Sequence, residues 1–377
     1  MTSDHLTSLS VSTEKEVQEL FGKDFSIDLP SQQLLDWLFT EQSCQGEGSI
    51  QVLRQAVVTK KRDGTTTTFY RRGLFATEDC PAGDYLFAIP LTAALVIEEE
   101  ETADAERGLK LMQLKQESAV DRNKWARYFE ALPTRDDQFD PTPDFWTEEQ
   151  IRRLESPRLI ESALARKQRI KDLSEAENIP LEELQFATWL VESRSLTLLK
   201  ETETVSGVLD DDKIVQENGC YELDEDFDST SVIIPIVDMI NHSSDSPNAE
   251  LDVLFYEDED EETESGGVDM DETLDNSEAF YAIVATEDIS AGSEIKISYG
   301  TGEDSSIEIL QNYGFIPGNN PFDDLIVGIE GDCCFPPKHE WGTTLESDKD
   351  ALQKSDGVDR TILQFRIAMK EKVTVQE

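Results

Sequence analysis

The stretch Ile233-Ile234-Pro235-Ile236-Val237-Asp238-Met239-Ile240-Asn241-His242-Ser243 passes from an apolar run into a polar cluster. Such a run indicates a buried β-strand, with the polar residues following at its end. His242 is one of only 3 histidines in the chain, so a His-ligated metal site is short of ligands. Taken alone, His242 fits a hydrogen-bonded core histidine better than a functional one.

A second segment with strand-like alternation leads to Tyr299. Ile295, Ile297 and Tyr299 fall on one side of this segment, and the residues between them are polar or charged. Tyr299 therefore ends the inward face of the predicted strand. A buried phenol must find a hydrogen-bond partner or face a ligand. On this segment alone, a core tyrosine at a strand end is the alternative interpretation.

A short helix is predicted directly after this strand. Ser305 and Glu308 have the spacing of a capping box, which marks the start of a helix, and Gly314 marks its end. Tyr313 falls in the last turn of this helix, next to Phe315. The sequence therefore predicts a second tyrosine at a helix end, fourteen residues after Tyr299.

The rest of the chain divides into a strand region and a helical region. Strand patterns run from about residue 50 to residue 97, after a helix that Ser31 is expected to cap. Helical spacing covers roughly residues 99 to 200, where Thr147 and Gln150 form a capping box. The last helix of this region opens at Pro180, and its apolar stripe contains one polar exception, Arg194.

One short sequence occurs twice, once before and once after the helical region. The octapeptide Ala76-Thr77-Glu78-Asp79-Cys80-Pro81-Ala82-Gly83 recurs as Ala285-Thr286-Glu287-Asp288-Ile289-Ser290-Ala291-Gly292. Each copy lies between strand-like runs. The similarity suggests two related hairpins in one β framework, one on each side of the helical region.

The composition is strongly acidic. The 377 residues carry 33 Lys and Arg against 81 Asp and Glu, a formal net charge of −48. This charge disfavours nucleic acids and anionic membranes as partners, and no apolar run approaches the roughly 20 residues that a membrane helix needs. The 5 cysteines include no C-x-x-C pair, which argues against a zinc cluster or a disulfide framework and favours a reducing, intracellular compartment.

The acidic excess is concentrated in two segments, residues 201–230 and 256–279. Segments of this composition repel themselves and cannot bury apolar area, so we expect solvated loops inserted into a fold. They serve either solubility or the docking of basic proteins.

Four motifs, in this order, resemble those of the SET-domain methyltransferases. They are Arg72-Gly73-Leu74-Phe75-Ala76-Thr77, Asp238-Met239-Ile240-Asn241-His242-Ser243, Ile297-Ser298-Tyr299-Gly300 and Tyr313-Gly314-Phe315. The resemblance spans roughly residues 31 to 323 and is best to the subgroup typified by the Rubisco large-subunit lysine methyltransferase. It implies an α+β fold: a SET β fold of several short sheets with a pseudoknot-like crossing, split by a helical insertion and carrying acidic loops.

The same resemblance implies an order of segments along the chain. Residues 1–30 are a disordered tail, 31–98 the N-terminal part of the SET domain, and 99–230 a helical insertion that ends in an acidic loop. Residues 231–323 are the C-terminal part of the SET domain, with the acidic loop 256–279. Residues 324–377 are a short remnant of a substrate-binding region.

The resemblance also implies roles for individual residues, with S-adenosylmethionine as the cofactor and no metal ligands. Tyr299 is the implied catalytic residue. The implied cofactor-binding residues are Gly73, Leu74, Arg194, Asn241, His242, Tyr299 and Phe315. The implied substrate-binding residues are Arg194, Asp238 and Tyr313. For Arg194, a buried ion pair with an acidic residue is the alternative.

The function implied is methylation of a lysine side chain in a protein. The acidity favours a basic substrate, such as a histone, ribosomal or translation protein, and the expected location is the cytoplasm, the nucleus or both. Two alternatives stay open: histidine methylation by the same fold, and a non-catalytic acidic module that binds basic proteins. Tyr313 and the small Ser195 favour lysine, because they leave a channel suited to a thin alkyl-ammonium chain.

Overall fold

The computed structural model describes residues 14–45, 50–60, 66–98, 103–137, 139–199, 216–217, 220–221, 229–255, 279–300, 304–326 and 335–376. The helices are α1 (Glu14–Phe21), α2 (Leu29–Glu41), α3 (Asp104–Asp121), α4 (Ala126–Ala131), α5 (Glu148–Arg152), α6 (Pro157–Glu177), α7 (Leu181–Glu192), α8 (Ser306–Tyr313), α9 (Asp323–Ile326), α10 (Leu345–Leu352) and α11 (Gly357–Gln376). The strands are β1 (Phe25–Ile27), β2 (Ile50–Lys60), β3 (Thr66–Ala76), β4 (Tyr85–Pro90), β5 (Leu95–Glu98), β6 (Ser195–Leu199), β7 (Gln216–Glu217), β8 (Cys220–Tyr221), β9 (Ser229–Ile233), β10 (Asn241–His242), β11 (Ala249–Phe255), β12 (Ala279–Ala285) and β13 (Glu294–Ile297).

Strands from before and after the helical region share each of the three larger sheets. The five-stranded sheet has the order β1-β2-β3-β13-β10, and the two three-stranded sheets have the orders β11-β12-β4 and β5-β9-β6. Helices α3 to α7 follow β5 and precede β6. The helical region is therefore an insertion into one β framework. The acidic segments 201–230 and 256–279 lie for the most part outside the described residues.

The two copies of the repeated octapeptide pair with each other. Cys80 and Ile289 form an antiparallel bridge, in which each backbone amide donates to the other residue's carbonyl at 2.8 Å. The Asp79 carboxylate accepts from the amide of Ala291, and the Asp288 carboxylate accepts from the amide of Ala82. The sequence similarity thus reflects a two-fold relationship between the turns that precede β4 and β13.

The segment 233–243 is less regular than its apolar run predicts. Strand β9 ends at Ile233, and the chain turns at Ile236, whose φ is +73°. A 3-10 turn over Val237–Met239 follows, and the chain re-enters a sheet as β10, which pairs in parallel with β13. This turn takes Asp238 out of the strand and places Asn241 and His242 beside the end of β13.

The start of the described chain corrects one expectation. Residues 14–30 were expected to belong to a disordered tail, yet they contain α1, β1 and the first two residues of α2. Val17 is buried against Leu53 and Phe75, and β1 pairs with β2. Ser31 does not cap α2, because the helix begins at Leu29 after Asp28. The Ser31 hydroxyl instead donates to the Asp28 carboxylate.

The capping boxes predicted from the sequence are confirmed. Thr147 caps α5 with Gln150 as its partner, and Ser305 caps α8 with Glu308. Helix α8 ends at Gly314, which adopts a φ of +85°. A Cβ at Gly314 would lie 2.2 Å from the Asp140 carbonyl oxygen, so the chain there also needs a residue without a side chain.

A second apolar core joins the C-terminal helices to the insertion. Trp146 and Leu159 from the insertion, Leu310 from α8 and Phe365 from α11 belong to one buried cluster. The region after residue 324 therefore packs against the body of the protein, and its role as a substrate-binding remnant stays a prediction. Within the described ranges, no helix is long and apolar enough to cross a membrane.

Candidate functional site

Four aromatic rings lie together where β10, β13 and α8 meet. The ring centroids of Tyr299 and Tyr313 are 4.6 Å apart, and those of His242 and Tyr299 are 5.1 Å apart. Phe315 completes the group at 5.8 Å from His242 and 6.3 Å from Tyr313. The structure thus brings together residues that the sequence separates by more than seventy positions.

The hydrogen bonds of His242 define its protonation state. Its Nδ1 accepts a hydrogen bond from the backbone amide of Tyr299 at 3.0 Å, so the neutral ring carries its proton on Nε2. Nε2 then donates to the hydroxyl of Ser244. Burial lowers the pKa of His242 to about 4, with a small opposing effect from Asp245. His242 is therefore neutral at physiological pH and holds the backbone at the end of β13.

Tyr299 is a protonated phenol held by a backbone carbonyl. Its hydroxyl donates to the Ile240 carbonyl oxygen at 2.7 Å. Burial raises the pKa of Tyr299 to about 12, and the positive charge of Arg194 offsets part of the rise. Burial also raises the pKa of Tyr313. Both phenols therefore keep their protons at neutral pH, and both oxygens can accept a further hydrogen bond.

Arg194 and Asp238 form a buried ion pair behind Tyr299. Arg194 Nη1 donates to Asp238 Oδ2 and to the Asp238 carbonyl oxygen, both at 3.0 Å. The Asp238 side chain has no exposed surface and that of Arg194 is 13% exposed. Tyr128 from α4 donates its hydroxyl to the same Oδ2 at 3.0 Å. Burial alone would lower the pKa of Arg194, but Asp238 more than offsets it, so this pKa is raised.

Two polar atoms of this pair have no hydrogen-bond partner among the described residues. They are Arg194 Nε, a donor, and Asp238 Oδ1, an acceptor, and both are buried. Unpartnered buried atoms of charged groups are costly in a folded protein, and a bound ligand or water can satisfy them. The prediction that Arg194 lies in a helical stripe is wrong: α7 ends at Glu192, and Arg194 lies in the turn before β6.

Asn241 and Gly73 fix the junction between β3, β10 and β13. Asn241 Nδ2 donates to the Arg72 carbonyl oxygen at 2.9 Å and to Glu294 Oε1 at 2.6 Å. A Cβ at Gly73 would lie 2.8 Å from both Asn241 Nδ2 and Glu294 Oε1, so any side chain there would displace these two groups. Leu74 is fully buried in the main core, which leaves only its backbone for any ligand.

A comparison with protein families identifies the framework of this site. A sequence model of the SET domain matches residues 71–300, which is more than half of the chain. The chain belongs to the SET-domain family. The match begins just before Gly73 and ends just after Tyr299, so it includes Arg194, Asp238, Asn241 and His242.

Solved structures show the same SET fold. The SET domain of LSMT bound to lysine and AdoHcy has 15% sequence identity and a TM-score of 0.52, covering 93% of this chain and 90% of the other. Rubisco LSMT bound to AdoMet has 16% identity and a TM-score of 0.51, covering 92% and 90%. A search of curated proteins finds no matching sequence. The chain therefore has the α+β SET fold with a helical insertion, as the motifs implied.

Sequence reasoning missed two side chains that support the SET site. Tyr128 is not among the predicted site residues, since its hydroxyl partner Asp238 is 110 residues away in sequence. Arg166 of α6 is almost fully buried and donates to both carboxylate oxygens of Asp144. It also donates to Asn312 Oδ1 at 3.0 Å, which ties the end of α8, and so Tyr313, to the insertion.

Proposed function

We propose that this SET-domain protein transfers a methyl group from S-adenosylmethionine to a lysine side chain of a protein. One observation carries the proposal: Tyr299, a protonated phenol, lies between the His242 and Tyr313 rings with the Arg194–Asp238 pair behind it. The family match and the fold shared with LSMT structures that hold AdoMet or lysine support this assignment.

The residues at the site fit this cofactor. S-adenosylmethionine supplies, when bound, a methyl group on a positively charged sulfur. Its amino-acid end bears a carboxylate, which matches the unpartnered donor Arg194 Nε. The rings of His242 and Phe315 offer apolar faces for the adenine. Asn241 and the backbone at Gly73 and Leu74 complete the proposed binding residues.

Other groups of the same site fit a target amine. Asp238 Oδ1 is a buried acceptor without a partner among the described residues, and the Tyr299 and Tyr313 rings form an apolar wall. Burial of the site favours a neutral lysine amine over an ammonium, and the positive charge of Arg194 offsets the opposite effect of the Asp238 carboxylate. No strong base is then required before methyl transfer, and the phenols serve to orient the amine lone pair.

Tyr299 acts through hydrogen bonding and position. Its proton is engaged by the Ile240 carbonyl, so its oxygen lone pairs are free to face the positive charge of the transferring group. The His242 bond to the Tyr299 amide fixes the backbone from which this ring projects. Preorganised groups of this kind lower the barrier because they need not reorient during the reaction.

The proposed substrate is a basic protein, such as a histone, ribosomal or translation protein, met in the cytoplasm or the nucleus. A net charge of −48 attracts Lys-rich partners over long distances, an effect that salt weakens. Histidine methylation is the alternative within the same fold. We favour lysine because the bulky phenol of Tyr313 and the small side chain of Ser195 suit a thin alkyl chain better than an imidazole.

The test is methyl transfer from labelled S-adenosylmethionine into a basic-protein extract, with the labelled residue identified after hydrolysis. We expect label in methyl-lysine, and a loss of about 100-fold or more in Tyr299→Phe, because one preorganised polar contact at a reacting centre contributes about that factor. Tyr70→Phe is the matched control, since Tyr70 is a 59% exposed tyrosine on β3.

Each other outcome has a defined meaning. Label in methyl-histidine would establish the histidine alternative. Equal label from the wild type and Tyr299→Phe would remove the proposed role of the phenol. No label from the wild type, in an extract shown to contain unmethylated sites, would favour a non-catalytic module that binds basic proteins.

A further inference from the structure

A cavity separate from the SET site lies between α2, the end of α3 and α4. Its volume is about 840 Å³, within the range of small-molecule binding sites. None of the residues assigned above to the cofactor or the substrate lines it. Helix α4 separates the two places: Phe129 lines the cavity, and its neighbour Tyr128 bonds to Asp238.

The wall of this cavity is cationic in a protein that is otherwise strongly acidic. Lys115, Arg122, Lys124 and Arg127 line it, against only Glu41 and Glu130. Lys124 bonds to the Thr92 carbonyl oxygen and lies over the Trp125 ring. The other three cations form no ion pair with any residue that the structure describes. An excess of cations around one cavity makes it favourable for an anion.

Arg122 has a backbone conformation that is unfavourable for arginine. It is the C-cap residue of α3 and has a φ of +46°, in the left-handed region that favours glycine or asparagine. An arginine there costs about 1 kcal/mol relative to glycine.

The inner part of the cavity offers a buried hydroxyl and two aromatic rings. Ser118 lines the cavity, is 1% exposed, and its Oγ has no hydrogen-bond partner among the described residues. A buried hydroxyl without a partner is the kind of atom that a ligand satisfies. Trp37 and Phe129 also line the cavity and are largely buried, which gives it an apolar surface.

We propose that this cavity binds a small organic phosphate, with the phosphate against Arg122 and Arg127 and an apolar, planar body against Trp37 and Phe129. The paired N–H donors of an arginine guanidinium match the spacing of phosphate oxygens, and Ser118 Oγ can donate to the same ligand. A volume of about 840 Å³ matches a small molecule better than an extended acidic peptide, which would need a longer groove.

The test is calorimetric titration of the full chain with phenyl phosphate, at about 50 and 300 mM salt. We expect one site per chain and weaker binding at the higher salt. Phenol and inorganic phosphate should each bind at least about tenfold more weakly than phenyl phosphate, because each lacks one half of the ligand.

Three variants locate the binding. Arg122→Gly removes the guanidinium and relieves the backbone, so the fold should be kept, and Arg127→Gln removes the second cation. Each should weaken phenyl phosphate binding at least about tenfold, the loss of one charge-assisted hydrogen bond. Lys110→Gln is the control, because Lys110 is an exposed cation of α3 that does not line the cavity.

Four results would overturn the proposal. The first two are that phenyl phosphate shows no saturable binding, and that its affinity is the same in Arg122→Gly and Arg127→Gln as in the wild type. The other two are that inorganic phosphate binds as tightly as phenyl phosphate, and that hexaglutamate binds more tightly than phenyl phosphate. The last would assign the cavity to acidic protein segments instead. None of these results depends on methyl transfer. A failure of this binding test would therefore leave the proposed function untouched, and the reverse also holds.

Discussion

The backbone amide of Tyr299 donates a hydrogen bond to Nδ1 of His242, with 3.0 Å between the two nitrogens. The two residues lie at the ends of a parallel strand pair, in which His242 faces Ile297. The bond exists only while the imidazole is neutral, because protonation removes the lone pair on Nδ1. The neutral state of His242 thus keeps the Tyr299 backbone in place.

Acidification should therefore destabilise the protein through His242. Burial lowers the pKa of His242 to about 4 in the folded state, against 6.5 as the ordinary value. Between these values the unfolded chain binds more protons than the folded chain, so stability falls as the pH is lowered from 6.5 to 4. Solvent reaches part of the ring, so we expect a loss of about 1–2 kcal/mol, measured by urea denaturation across this range.

A non-titrating variant isolates this contribution. In His242→Asn, the amide oxygen can accept from the Tyr299 amide at nearly the same position, and no proton is taken up. Carboxylates that titrate in the same range are present in both proteins and cancel in the difference. A pH dependence of stability that is the same in the variant and the wild type would contradict the assignment.

The buried pair Arg194–Asp238 should be sensitive to loss of its negative charge. In Asp238→Asn, the Arg194 guanidinium is left buried without a counter-charge, at a cost of about 3–5 kcal/mol in the free energy of unfolding. Tyr128→Phe removes only one hydrogen bond to the same carboxylate and should cost about 1–2 kcal/mol. Urea denaturation measures both.

The ranking of the two variants is the decisive result. If Asp238→Asn loses no more stability than Tyr128→Phe, then the Asp238 charge does not compensate Arg194. The double variant adds a further check, because residues that share one carboxylate should show non-additive effects.

Local sequence signals predicted the elements that hold the site but not how they meet. The alternation before Tyr299 and the capping box at Ser305 each depend on neighbours within a few residues, and both are seen in β13 and α8. The pairing of β10 with β13 and the contact of Tyr128 with Asp238 join distant parts of the chain. The periodicity of apolar residues along the sequence does not indicate such long-range contacts.

The position of Arg194 outside α7 was not predictable from the spacing of apolar residues. A stripe of apolar residues continues by three or four positions into Arg194, but α7 ends at Glu192, before the stripe would. The Ser193 amide bonds to the Trp189 carbonyl, and the chain then turns into β6. The ion pair with Asp238 requires this turn, and that pairing depends on tertiary structure rather than on helical periodicity.

The crossing of α3 and α7 should depend on Gly108. A Cβ at this position would lie 2.5 Å from Thr188 Oγ1 and 2.7 Å from the Thr188 backbone nitrogen. Because a backbone atom cannot rotate away, Gly108→Ala must push the helices apart. We expect a net loss of about 1–3 kcal/mol in urea denaturation, although alanine is the better helix former.

Gly318→Ala is the matched control for this substitution. An added Cβ at Gly318 meets no atom within 4 Å, so this variant should keep its stability within about 0.5 kcal/mol. Equal effects of the two alanine substitutions would show that α3 and α7 do not need their close approach.

Lys370 of α11 anchors the C-terminal helices through a buried network of charges. Its ammonium lies 2.8 Å from Asp348 Oδ2 and 2.8 Å from Glu155 Oε2, and the side chain has no exposed surface. Arg366 shares both carboxylates. Two cations thus balance two anions between α10, α11 and the turn after α5. Such a network contributes little net energy when complete, but breaking it leaves a charge unpaired.

Lys370→Met should therefore destabilise the protein by about 3–5 kcal/mol, because Asp348 and Glu155 would share one remaining cation in a site closed to water. Lys349→Met removes a cation from a pair with Glu371 in which both side chains are 50% exposed, and it should cost less than about 1 kcal/mol. Urea denaturation of both variants gives the comparison. If Lys370→Met costs no more than Lys349→Met, water must reach the Asp348 site. If the double variant Lys370→Met with Asp348→Asn regains part of the loss, the unpaired charge was its cause.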